Sequence, residues 1–196
     1  MRIILLLGSY DPETTKILKS LREFIAERFE RDELYALMLE NVDIYQSEKV
    51  DVVLERLSDR RATLMVFNKK SELIDVEDVE FEDDVSGIMR EKYGVESFIK
   101  TPVLEKLRLL ASAAWLVFLI RHLEQTRGGE LIELTYISNF CRDRIFLLKK
   151  EGVKLSTMVE ELIEAFKINL RTYVELRELF DTVERIIMYR LEQSWV

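Results

Sequence analysis

The sequence is short of residues that crosslink a chain or bend it sharply. Cys141 is its only cysteine, so no internal disulfide can form, and the expectation is a cytoplasmic setting. Only two prolines occur, Pro12 and Pro102, and each stands behind a capping residue, Asp11 or Thr101, at the start of a helix. No apolar run is long enough to cross a bilayer; the longest, "LLASAAWLVFLI" from Leu109 to Ile120, reads as a helix end leading into a buried strand. The opening "MRIILLLGSY" lacks a small-residue cleavage site and ends its apolar run at a glycine, as a first strand does. An excess of positive charge is also missing. At a net charge of −8 the chain is not built as a general nucleic-acid binder, although a locally basic pocket stays open. Asparagine and glutamine are scarce, a composition typical of thermophilic proteins.

What is present describes a single α/β domain over residues 1–196. With 48% hydrophobic and 34% charged residues the composition is that of a soluble globular protein. A chain of this length buries roughly 70% of the surface its unfolded form exposes. Strand-like runs at Ile3–Leu7, Leu34–Leu39, Thr63–Phe67, Trp115–Ile120 and Arg144–Leu148, with a less sharp one in "INLRTYV", alternate with helical segments. That order predicts a mainly parallel sheet of five or six strands, covered on both faces. The first helix, "DPETTKILKSLREFIAERF", carries Ile17, Leu18, Leu21, Phe24 and Ile25 along one face. "TMVE" at Thr157–Glu160 has the spacing of a capping box. A final helix over 175–193 carries an apolar stripe from Leu176 to Leu191, which reads as core, with a homo-oligomer contact as the other reading.

Residues 71–100 separate the third strand from the fourth by more than an ordinary connection and read as an insertion. The acidic part, Glu72–Asp84, contains no basic residue. A solvated face or mobile loop accounts for it, as would a lid or a metal site. For calcium the turn-forming glycine between ligands is absent.

In open parallel sheets ligands bind beyond the carboxyl ends of the strands, where loops lead into helices. Two loops qualify. In "GSYDPETT", Gly8 permits close backbone approach, and Ser9, Tyr10 and Asp11 at the helix start can face an anion or a sugar; simple helix capping accounts for them equally. In "RHLEQTRGGELIEL", Gly128 and Gly129 let the chain turn into a helix. There Glu133, Tyr136, Ile137 and Phe140 follow the spacing of one face, which predicts a carboxylate aimed at sheet and cleft. Arg121 and Arg127 flank this loop and can bind a 5′-phosphate or pair with Glu124 or Glu130. His122, the only histidine, sits at the strand end as either a packed side chain or a functional one. Cys141 reads as a small buried side chain.

"GGELIEL" after a buried strand resembles the "GTAxELG" type of segment in the nucleoside 2-deoxyribosyltransferase and deoxynucleoside monophosphate N-glycosidase family. Its catalytic glutamate stands four residues after a glycine, as Glu133 stands after Gly129. The opening "IILLLGSYDPETTKILKSLREFI" is similar to that family's first strand, substrate loop and helix, and the matching pieces together cover about a third of the chain. The resemblance implies a three-layer αβα, flavodoxin-like fold and a nucleoside or nucleotide substrate. It also implies attack by Glu133 on C1′ of a deoxyribosyl group, with no metal or cofactor. The sequence departs from the pattern where the family has an aspartate after the strand, here Arg121 or His122; Thr135 replaces a glycine, and Glu130 replaces a hydroxyl-bearing residue. Two other readings share the scaffold: a non-catalytic nucleotide-sensing or protein-interaction module, and a flavodoxin-like reductase holding flavin mononucleotide on "GSYDPETT".

Overall fold

The structure, a computed structural model, describes residues 1–9, 11–80, 85–95, 101–124 and 129–193, the side chains of 129–133 excepted. Along the chain run β1 (Arg2–Gly8), α1 (Pro12–Arg28), β2 (Leu34–Met38), β3 (Val42–Gln46), β4 (Val50–Arg56), β5 (Arg61–Asn68), β6 (Leu73–Glu80), α2 (Val85–Tyr93) and α3 (Val103–Ala113). There follow β7 (Leu116–Arg121), α4 (Gly129–Cys141), β8 (Ile145–Lys150), α5 (Thr157–Phe166), β9 (Asn169–Tyr173) and α6 (Leu176–Gln193). The chain divides into two compact units, one of residues 1–37 with 114–196 and one of 38–113.

The first unit holds a five-stranded sheet in the order β2-β1-β7-β8-β9, in which β1 with β7, β7 with β8 and β8 with β9 are parallel. The central strands are apolar without alternation, and Ile3 to Leu7, Leu116 to Ile120 and Ile145 to Leu148 are all buried. A strand can bury every side chain only when both its faces are covered. Helix α1 packs on β1, β7 and α6 through Ile17, Leu18, Leu21 and Ile25. The rings of Phe24 and Phe180 meet edge to face at 5.1 Å. Helix α6 buries Leu179, Val183, Ile187 and Leu191, so the apolar stripe of the last helix is core, while Leu176 at its start is 45% exposed.

The second unit is an antiparallel meander, β3-β4-β5-β6. Helix α2 covers one of its faces, where Val85 and Met89 cluster with Val52, Leu54, Leu64, Val66 and Val79. Helix α3 is fastened to β3 by polar bonds: Thr101 Oγ1 donates to the Ile44 carbonyl at 2.6 Å, and Lys106 Nζ donates to the Val42 carbonyl and lies 3.1 Å from Asp43. Thr101 thus spends its hydroxyl on a strand carbonyl rather than on the helix it precedes.

Several expectations are corrected. The run Thr63–Phe67 is a strand, but it belongs to the antiparallel sheet; the parallel sheet reaches five strands through β9, the "INLRTYV" segment. The extra element is larger than a loop over 71–100. Leu73–Glu80 of its acidic part form the edge strand β6, where Asp75 and Glu77 receive Lys92 at 3.2 and 2.7 Å and Tyr93 at 2.8 and 3.1 Å, so that portion is a solvated strand face, while residues 81–84 lie outside the described residues. Among the described residues no group of three or more acidic, His or Cys side chains is arranged to hold a metal. Ser156, not Thr157, caps α5, its hydroxyl accepting from the Val159 amide, so Glu160 lies one place too far along for a capping box. Among the described residues, three with side chains take the left-handed conformation, Glu33 (φ 52°), Ser71 (φ 63°) and Lys167 (φ 53°). Among the described residues no helix is long and apolar enough to cross a membrane.

Candidate active site

The pairing of β1 with β7, Gly8 opposite Ile120, brings the two loops singled out in the sequence to the same end of the parallel sheet. Each was expected at a strand's carboxyl end, and both strands end there. Gly8 serves the fold directly. A Cβ on it would stand 2.9 Å from Thr14 Cγ2 and 3.2 Å from the Ile120 carbonyl oxygen, so the missing side chain is what lets α1 start against β7.

Asp11 caps α1, Oδ1 accepting from the Thr14 amide at 2.8 Å, with Pro12 behind it at the first helical position. The Ser9 hydroxyl donates to Asp11 Oδ2 and lies 3.3 Å from Thr14 Oγ1. Burial pushes the Asp11 carboxyl up. Hydrogen bonds from the Ser9 and Thr14 side chains and from the Thr14 and Glu13 amides outweigh it and hold the group below the ordinary carboxylate value. The capping reading of this loop therefore holds for Asp11. Tyr10 lies outside the described residues.

At the end of β7, Arg121 is buried, and its Nη2 donates to the Glu124 carbonyl at 3.1 Å; burial pulls its pKa down. This contact is to the Glu124 backbone, and the side chain of Glu130, the other expected partner, lies outside the described residues. Arg127 and Gly128 lie outside the described residues, and Gly129 opens α4.

The inward row of α4 is Leu134, Ile137, Ser138 and Cys141, each no more than 1% exposed. This differs from the expected row. Ile137 belongs to both, but Tyr136 is half-buried and Phe140 is 38% exposed. The Glu133 side chain itself lies outside the described residues. Cys141 is buried, its thiol pushed up to about 11 by burial and by Asp143, with Arg144 pulling the other way. A thiol with that pKa is inert at neutral pH.

His122 is where the sequence reading proves incomplete. Its side chain is only 4% exposed, and Nε2 lies 2.9 Å from Oε1 of Glu13, in the first turn of α1. Nδ1 lies 2.9 Å from the hydroxyl of Tyr173, the last residue of β9, and the two rings stack with their planes 16° apart. Lys150, at the end of β8, brings Nζ to 3.4 Å from Nε2. The sheet register explains the meeting: Arg121 pairs with Lys149 and Lys150 pairs with Tyr173, so the residues after β7 and at the ends of β8 and β9 form one transverse row. Burial, then the charge of Glu13, pushes the Tyr173 phenol up, so it stays a donor. With its proton on Nε2 the ring donates to Glu13 and accepts from Tyr173; with its proton on Nδ1 it donates to Tyr173 and accepts from Lys150. Glu13, Lys150 and Tyr173 escaped the sequence reading because each lies far from His122 along the chain; the one available signal was the shared position at strand ends.

Two surface cavities of about 650 and 940 Å³ lie elsewhere, one along Lys149, Val153 and α5 and the other between the β3–β4 turn and Tyr93, and neither includes an expected site residue. Compared with known proteins, the chain matches no family model and no curated sequence.

Proposed function

We propose that the first unit is a three-layer, flavodoxin-like domain that cleaves or exchanges the N-glycosidic bond of a nucleoside or nucleotide, with Glu133 as the nucleophile. The observation that carries this reading is the pairing of β1 with β7, from whose ends the Gly8–Asp11 turn and the loop into α4 both emerge. Counting only its own strands, the sheet runs 2-1-3-4-5, an order whose switch point between the first and third strands opens a crevice at the carboxyl edge. Attack on C1′ expels the base and leaves a glycosyl ester on Glu133, which water or a second base resolves.

Purified protein incubated with nucleosides and nucleoside monophosphates is expected to release free base, seen by chromatography. Glu133→Gln is expected to lower release by at least about 10³-fold, equivalent to about 4 kcal/mol of transition-state stabilisation. No base from any substrate, or equal release by the variant, refutes the reading.

A second reading draws on the bonds among Ser9, Asp11 and Thr14, which engage these side chains with the helix start rather than with chemistry. On it the unit senses a nucleotide without chemistry. A nucleotide at a hundred times its Kd would then stabilise the fold by roughly 2.7 kcal/mol with no turnover. Yellow colour after loading with flavin mononucleotide would instead favour a flavin-binding reductase.

A further inference from the structure

We propose that the outer edge of β6 is a docking site for an extended, lysine- or arginine-bearing segment of a partner protein, which joins the four-stranded meander as a further strand. The proposal concerns the second unit alone and does not depend on the glycosidic reading.

The meander treats its two edges differently. At β3 the carbonyls of Val42 and Ile44 are taken by Lys106 of α3 and by Thr101 just before it. At β6 no strand among the described residues pairs with the outer side. Two bonds tell which of its residues face outward. The Val76 amide donates to Oδ1 of Asp75, its own neighbour in the chain, at 3.0 Å, rather than joining the ladder to β5. Thr63 Oγ1 donates to Oδ1 of its cross-strand partner Asp78 at 2.7 Å, the close side-chain approach of a pair whose backbone groups do not bond each other. Val76 and Asp78 therefore direct their N–H and C=O groups away from β5, and by alternation Glu80 does the same. The shift in the β5–β6 register falls at Val66 and Phe67, opposite Asp75 and Leu73, so Val76 to Glu80 runs regularly. Apolar surface accompanies these free backbone groups: Ile74 is 55% exposed and Val76 38%.

Charge selects the occupant. From Glu72 to Glu80 the chain carries five acids, Glu72, Asp75, Glu77, Asp78 and Glu80, and no lysine or arginine. Lys92 answers Asp75 and Glu77 from α2. Among the described residues no cation pairs with Asp78 or Glu80, both exposed on the outward row. A second copy of β6 laid against this edge would set carboxylates beside carboxylates, and like charges facing each other oppose strand pairing. A strand of the opposite sign meets no such barrier. Its main chain would bond to Val76 and Asp78, its apolar side chains would cover Ile74 and Val76, and its cations would face Asp78 and Glu80. Backbone bonds and apolar cover supply the affinity, while charge excludes the wrong partners.

The probe is a fluorescein-labelled peptide built for an antiparallel register, with lysines opposite Asp78 and Glu80, valines opposite Ile74 and Val76, and threonines between. It is expected to bind the full chain, read by fluorescence anisotropy. Replacing its lysines with glutamates is expected to weaken binding by at least about tenfold. Methylating the peptide amides that face β6 is expected to abolish binding, whereas methylating the alternate amides leaves Kd within about twofold, because only the first set bonds to the edge. Val76→Pro removes the outward amide and leaves the ladder to β5 intact, and is expected to weaken binding by about tenfold. Asp78→Lys combined with Glu80→Lys is expected to reverse the preference, so that the glutamate peptide binds better.

No binding of the lysine peptide overturns the proposal. Equal binding of the two methylated peptides overturns it too, since that would be charge attraction without strand pairing; both peptides probe the unmodified protein, so the outcome does not depend on how a variant folds. Dimerisation of the chain that Val76→Pro removes would assign the edge to a second copy and would likewise refute a basic partner.

Discussion

The two sheets of this protein handle polar residues in opposite ways. In β1 and β7 every side chain from Ile3 to Leu7 and from Leu116 to Ile120 is buried, so polar groups emerge only at the strand ends. In β6 they appear along the whole strand, Asp75 and Glu77 alternating with the exposed Ile74 and Val76. A doubly covered parallel strand has no face to spare for chemistry. Its polar groups gather where the strand stops, as His122, Lys150 and Tyr173 do, and the spacing between them is fixed by sheet register. An antiparallel edge strand offers a face, but its charges stand in water and lose most of their strength to solvent, as in the ion pairs of Lys92.

The sharpest way to test the contrast is to damage each sheet in turn. Phe118→Ala empties a fully buried position in β7 against Phe146 and is expected to cost about 3–5 kcal/mol, measured by urea unfolding. A cost below about 1 kcal/mol would mean that the parallel core is looser than its burial implies.

Gly8→Ala comes next, at about 1–3 kcal/mol, because its methyl would press on Thr14 and on the Ile120 carbonyl. Combining it with Thr14→Ser removes the nearest atom and is expected to recover part of the loss; strict additivity in the double variant would show that the contact is not the cause.

Ile74→Thr on β6 should do least, shifting stability by no more than about 0.5 kcal/mol, since the side chain is 55% exposed. A loss comparable to Phe118→Ala would erase the distinction between the sheets.

Much of the parallel sheet was legible beforehand, because continuous apolar runs between helices leave few alternatives. Asp11, Pro12 and the face of Ile17 to Ile25 marked α1 for the same reason: capping and helical period are local. The second unit was harder. In β3 and β4 aspartates interrupt the valines, as at Val42, Asp43 and Ile44, and the strand at Thr63–Phe67 carries no mark of which sheet it joins. The inward row of α4 was misread because a helix that begins at a glycine pair and is apolar on several sides gives its period little purchase. Glu13 meets His122 across 109 positions and Tyr173 meets it across 51, and no local pattern encodes contacts of that range.

The left-handed turns at Glu33, Ser71 and Lys167 bear on what the protein is like when it is not folded. Glycine would sit more comfortably at each, by roughly 1 kcal/mol, yet it would also free the denatured chain to wander more widely. Replacing Lys167 with glycine sets these two effects against each other at a single site, and the sign of the outcome tells whether the chain's rigidity resides more in its native turns or in the restricted freedom of its disordered ensemble.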